Sequence, residues 1–173
     1  MVGAIVAVER EADASAQDIE RLVALLSELT DRIVLIGLPP EASAKGGDAE
    51  ARAPQAEFIH AESELDAIRA AARLALDDHA VVMAADLAHP SAELVRYLVH
   101  IRGGHEAVVP VRRDGLPQPL CALYHGRCAG RAQGLVASGE RNAEALLAEV
   151  EVREVTVEEV AKFGEPQELL ARI

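Results

Sequence analysis

Aromatic residues make up only 2% of the chain and tryptophan is absent, so a hydrophobic interior must be assembled from Ala, Val, Leu and Ile. No apolar run approaches the roughly 20 residues that a bilayer-crossing helix needs. The opening stretch from Met1 to Val8 has neither a basic flank nor a small-residue cleavage site, so it reads as a strand and not as a signal peptide. With only two cysteines, Cys121 and Cys128, a disulfide framework is excluded, and reduced thiols in a cytoplasm are expected. Positive charge is also scarce. The formal net charge of −12 disfavours general binding to nucleic acid or to anionic membranes.

Half of the 173 residues are hydrophobic, enough for one domain with a substantial core, and no linker or repeat divides residues 1–173. The charge is unevenly spread. Seven arginines (Arg96, Arg102, Arg112, Arg113, Arg127, Arg131, Arg141) face only three acids between positions 96 and 141. Such a local excess suits a small phosphorylated ligand; the alternative is a set of arginines scattered over solvated faces.

Apolar runs alternate with helical periodicity along the chain. Strands are expected at Gly3–Val8, Arg32–Gly37, Glu57–His60, His79–Ala85, Glu106–Val111, Pro119–Tyr124 and Glu149–Val155. Helices are expected at Ala16–Leu29, Glu62–Leu76, from Pro90 to Ile101, at Ala129–Ala137, at Arg141–Leu147 and in the tail to Ile173. Glu41–Pro54, rich in Ala, Gly and Pro, reads as a mobile loop. The order predicts a three-layer, Rossmann-like α/β fold. Its sheet is mostly parallel with one antiparallel strand from the close pair after Gly104, and helices cover both faces. Ligands of such sheets sit at the carboxyl ends of the strands, which directs attention to the residues after Val8, Ala85 and Tyr124.

Asp86 follows a buried strand directly, where a carboxylate can hold Mg²⁺ against a nucleotide, or simply orient the next turn. Further on come Val108-Val109-Pro110, then Pro119-Leu120-Cys121-Ala122-Leu123-Tyr124, then Gly139-Glu140-Arg141. In this order and spacing the chain resembles the molybdenum cofactor guanylyltransferases of the nucleotidyltransferase-like superfamily. The resemblance implies transfer of GMP from GTP to the terminal phosphate of molybdopterin, with Mg²⁺ if the chain is active. It places Asp86 at the metal and Pro119, Leu120, Tyr124, Arg141 and Arg112 at the ligand. The implied partners are molybdopterin or a nucleotide, and a homologous protein or a second copy of the chain.

The family's phosphate loop after the first strand, Leu-Ala-Gly-Gly-x-Ser-x-Arg-Met-Gly with a nearby Lys, is not matched. This chain reads Glu9-Arg10-Glu11-Ala12-Asp13-Ala14-Ser15, with three carboxylates, no glycine and no lysine before Lys45. The family's middle Gly-Pro-Leu-Ala-Gly corresponds to Ala61-Glu62-Ser63-Glu64-Leu65, and its late Asn-x-Asn-x-Pro segment to Lys162-Phe163-Gly164-Glu165-Pro166. The departures cluster on the nucleotide side, and no catalytic residue is assigned. Three readings follow: a diverged member that binds without catalysis, an active nucleotidyltransferase with an altered loop, and a subunit that pairs with an intact homologue.

A zinc site from His100, His105, Cys121, His125 and Cys128 is not expected. His100 and His105 are separated by a Gly-Gly break, and no Cys-x₂-Cys framework is present. No Gly-x-Ser-x-Gly elbow supports nucleophilic serine catalysis.

Overall fold

The structure, a computed structural model, describes residues 1–7, 15–37 and 57–172. The Glu9–Asp13 segment and the loop expected at Glu41–Pro54 lie outside the described residues.

Seven strands form one sheet: β1 (Val2–Ala7), β2 (Ile33–Gly37), β3 (Glu57–His60), β4 (His79–Ala84), β5 (Ala107–Pro110), β6 (Cys121–His125) and β7 (Val152–Val155). Their spatial order is β3-β2-β1-β4-β6-β5-β7. The strands β1 to β4 pair in parallel, and β5 pairs in parallel with β7. Only β6 runs against its neighbours, β4 and β5. Every residue of β4 is buried, as its continuous apolar sequence requires of a strand covered on both faces.

Among the described residues the helices are α1 (Ala16–Ser27), α2 (Glu64–Ala75), α3 (Ala92–Ile101), α4 (Cys128–Ala137), α5 (Ala143–Leu147), α6 (Val157–Val160) and α7 (Pro166–Leu169). Ser15 starts α1 through a reciprocal capping box with Asp18, and Leu22 and Leu26 are fully buried beneath it. Ser63 caps α2 by accepting from the Asp66 amide. The buried face of α2 joins Leu65 and Ile68 to Ala67, Ala70, Ala71, Ala72 and Ala75. These small side chains let α2 lie close to the sheet and to α4, so the core needs no large aromatic filler.

The chain steps one way from β1 to β2 and returns the other way from β3 to β4. Right-handed crossovers in opposite directions place α1 and α2 on opposite faces of the sheet. An Arg96–Glu28 ion pair ties α3 to the end of α1, while α2, α4 and α5 pack together. Among the described residues no helix is long and apolar enough to cross a membrane.

One expectation is corrected here. Residues after Tyr124 were expected at the ligand edge, but β6 is antiparallel: His125 pairs with His79 at the start of β4, and Cys121 pairs with Met83 near its end. The beginning of β6, with Gln118 to Leu120 before it, therefore lies at the edge that bears Asp86. Its end lies at the opposite edge.

Candidate functional site

Strand order reverses between β1 and β4, because their sequential crossovers leave in opposite directions, and this opens a crevice at their carboxyl ends. Beyond β4 the ladder continues for one bond, from the Ala85 amide to the Val6 carbonyl at 2.8 Å. The chain then turns through Asp86. On its far side the C-terminal segment returns to the crevice: Leu87 and Arg172 form an antiparallel bridge, and the Ala88 amide donates to Ala171 at 3.0 Å. Gln118, which is buried, donates its side-chain amide to the Leu170 carbonyl at 2.8 Å and so holds this segment against the start of β6.

The returning segment delivers Arg172 onto Asp86. Its Nε donates to both carboxylate oxygens, at 2.9 and 3.0 Å, and its Nη1 donates to Glu64 Oε1 at 2.7 Å. Glu64 opens α2, so two carboxylates from separate elements converge on one guanidinium. The Asp86 side chain is 5% exposed, against 25% for Arg172 and 24% for Glu64. Burial pulls the Arg172 pKa down, but the hydrogen bonds and charges of Asp86 and Glu64 outweigh it, and the net displacement is upward. The guanidinium thus stays charged and neutralises a carboxylate that is almost cut off from water.

A divalent ion at Asp86 does not fit this arrangement. Such an ion requires carboxylate oxygens at close to 2 Å with room for further oxygen ligands. Here both oxygens are engaged by Arg172, and the nearest second carboxylate is engaged by the same group. No group of three or more His, Cys, Asp or Glu is placed to hold a metal among the described residues.

Beside Arg172 lies a cavity of about 340 Å³, lined by Arg112, Arg113, Gln118, Gln167 and Leu170 among others. Of the expected ligand residues, Arg112 reaches this cavity. Arg141 does not: it lines a separate hollow of about 90 Å³ with Glu62, Ser63 and Gly139. Pro119, Leu120 and Tyr124 belong to the interior. Leu120 and Tyr124 are 1% and 0% exposed, and the Tyr124 hydroxyl donates to the Pro119 carbonyl at 2.9 Å. A side chain so enclosed shapes the start of β6 and cannot touch a ligand in the crevice directly.

The arginine excess is also largely consumed within the fold. Arg112 pairs with Asp114, Arg113 with Glu165, Arg131 with Glu106, Arg96 with Glu28 and Arg141 with Glu62. Asp114 and Glu106 lie within residues 96–141, whereas Glu165, Glu28 and Glu62 come from outside them, so distant acids offset three of these five arginines. The structure favours solvated ion pairs over a concentrated positive field for most of the seven.

Cys121 and His125 sit at opposite ends of β6, about 13 Å apart at the usual rise per residue, so one metal cannot bridge them. Both cysteines are buried, and burial pushes each thiol up to about 12. They are core residues and not nucleophiles.

Arg172 is not marked by the sequence, and Glu64 is marked only as part of the stretch that matches the family's middle Gly-Pro-Leu-Ala-Gly segment. Neither lies in a linear motif with Asp86, and the 86-residue separation of Asp86 from Arg172 is closed only by the C-terminal return.

Comparison with known proteins agrees with this architecture. A model of the MobA-like NTP transferase domain matches residues 16–155. A probable molybdenum cofactor guanylyltransferase of Clostridium perfringens is 28% identical over 110 residues, which is 64% of this chain and 52% of that protein. The match thus spans about half the length of this curated relative. Among solved structures, molybdopterin-guanine dinucleotide biosynthesis protein A of Archaeoglobus fulgidus superimposes with a TM-score of 0.79 at 23% identity, covering 100% of this chain and 92% of that one. A Mycobacterium tuberculosis protein in complex with manganese shares the fold with a TM-score of 0.60 at 16% identity, covering 90% and 87% of the two chains. With more than half of its length matched by the family model, the chain belongs to the MobA-like NTP transferase domain family.

Proposed function

We propose that residues 1–173 act as one nucleotidyltransferase-like domain that serves molybdenum cofactor biosynthesis by binding molybdopterin, without transferring a guanylyl group. The observation that carries this reading is the sequence that follows β1. The strand ends at Ala7 on the crevice side of the sheet, and in sequence Val8 is followed by Glu9, Arg10, Glu11, Ala12 and Asp13. Transfer at the α-phosphorus needs donors that stabilise charge on the leaving pyrophosphate. Three carboxylates and a single arginine stand in this stretch of sequence, where the resembled family carries glycines. No glycine lies between Val8 and Ser15 that would let backbone amides approach phosphate in their stead.

Calorimetry with GTP and Mg²⁺ tests the reading. Weak binding or none is expected, and tight Mg²⁺-dependent binding would contradict it. A turnover assay with molybdopterin and each NTP complements it. Pyrophosphate release that disappears in Asp86→Ala would establish an active transferase instead.

A further inference from the structure

The geometry points to Arg172 as a built-in cation of the crevice: a guanidinium fixed by the C-terminal segment neutralises Asp86 and Glu64 in place of an exchangeable divalent ion. This stands on different residues from the binding-only reading, and it survives or fails independently of it.

Three features support it. First, the two carboxylates come from separate elements, the turn after β4 and the first residue of α2, and they meet only at Arg172. Second, Asp86 is 5% exposed, and a carboxylate so enclosed requires a cation. Third, Arg172 is held from outside the pair. The Leu87 bridge, the Ala88–Ala171 bond and the Gln118–Leu170 bond fix the backbone on both sides of the crevice. The cation is thus part of the polypeptide. It does not come and go with ion concentration, and it is withdrawn only if residues 170–172 leave. Arg172 also lines the 340 Å³ cavity, so a ligand entering there meets this fixed charge and not an exchangeable ion.

Removal of the guanidinium should therefore create a divalent-cation site. The test is titration of Mn²⁺ alone into the whole chain, read by the loss of the free-ion electron paramagnetic resonance signal. Wild type is expected to take up no Mn²⁺ at Asp86. Arg172→Ala should gain one site with a Kd on the order of 10⁻⁴ to 10⁻³ M, the range of weak all-oxygen sites. Arg172→Lys, which keeps a positive charge, should gain none. Adding Asp86→Asn to Arg172→Ala should abolish the gain. If the alanine variant does not fold, Arg172→Gln carries the same expectation, because it retains a donor for Asp86. The proposal is overturned if wild type binds Mn²⁺ as tightly as the variant and loses it with Asp86→Asn. It is equally overturned if a folded Arg172→Ala or Arg172→Gln chain takes up no ion.

Discussion

Truncating the two ends of the crevice ion pair should have unequal effects on stability. Arg172→Ala leaves Asp86 buried, with 5% of its side chain exposed and no counter-charge. Breaking a buried pair in this way costs about 3–5 kcal/mol. The lower end applies, since Arg172 is already a quarter exposed and water can enter the space that it vacates. Asp86→Ala leaves the arginine paired with Glu64 at 2.7 Å and still in reach of solvent, so the loss is that of one charged hydrogen-bond partner, about 1–2 kcal/mol. For a domain of this size each kcal/mol moves Tm by about 2–4 °C. Arg172→Ala should then lower Tm by about 6–12 °C and Asp86→Ala by about 2–8 °C. The double variant should lose less than the sum, because the stranded carboxylate is gone. Urea denaturation followed by far-UV circular dichroism checks the free energies, with the slope compared to ensure that the unfolding transition is unchanged. Equal losses, or a greater loss for Asp86→Ala, would refute the view that Asp86 is sealed from water and depends on Arg172.

Other outcomes follow from the same structure. Glu159 accepts from Arg153 and from the Tyr97 hydroxyl, which hold its carboxyl down at about 2. A depressed carboxyl stabilises the fold above its unfolded pKa of about 4.3 and loses that contribution as pH falls towards 2. After allowance for solvent screening, Glu159→Gln should cost about 1–2 kcal/mol at neutral pH and flatten the acid limb of a stability–pH profile. Both thiols, pushed up to about 12 by burial, should resist a thiol-reactive probe at pH 8 in the native protein and react fully in denaturant. Leu76, 74% exposed, holds a left-handed φ of 55° in the turn closed by the Asp78 amide and the Ala75 carbonyl. Leu76→Gly should raise stability by about 1 kcal/mol in thermal denaturation, since relief of backbone strain outweighs little lost burial. Gly126→Ala should do the reverse, because its new Cβ would fall 1.7 Å from the Leu76 carbonyl oxygen, a clash that must displace backbone.

The elements were legible because their signals are local. The apolar stretch HAVVMA is buried over its whole length as β4, and the leucines of α1 recur at helical spacing over a serine cap. Glycine endings and short strands placed most boundaries within a residue or two. The ends of α1 and α2 came out shorter than their apolar pattern suggested, because the last residues leave the helix for turns. The candidate site was legible only in part. Asp86 was marked by its position after a buried strand. Its partners were not, since Glu64 and Arg172 carry no pattern that sets them apart from other surface charges. Leu120 and Tyr124 stood in a recognisable motif, but a motif does not tell whether its side chains face a ligand or the interior.

Composition and periodicity by themselves determined that this chain alternates strands and helices around an aliphatic core, with one strand running against the rest. Those properties depend on neighbours within a few residues, where hydrophobic spacing and capping act. Tertiary structure alone decided which end of β6 meets the crevice, which arginines are cancelled by distant acids, and that Asp86 faces a guanidinium. These are consequences of chain segments meeting in space, and charge–charge contacts of that kind depend on distances that no linear spacing encodes.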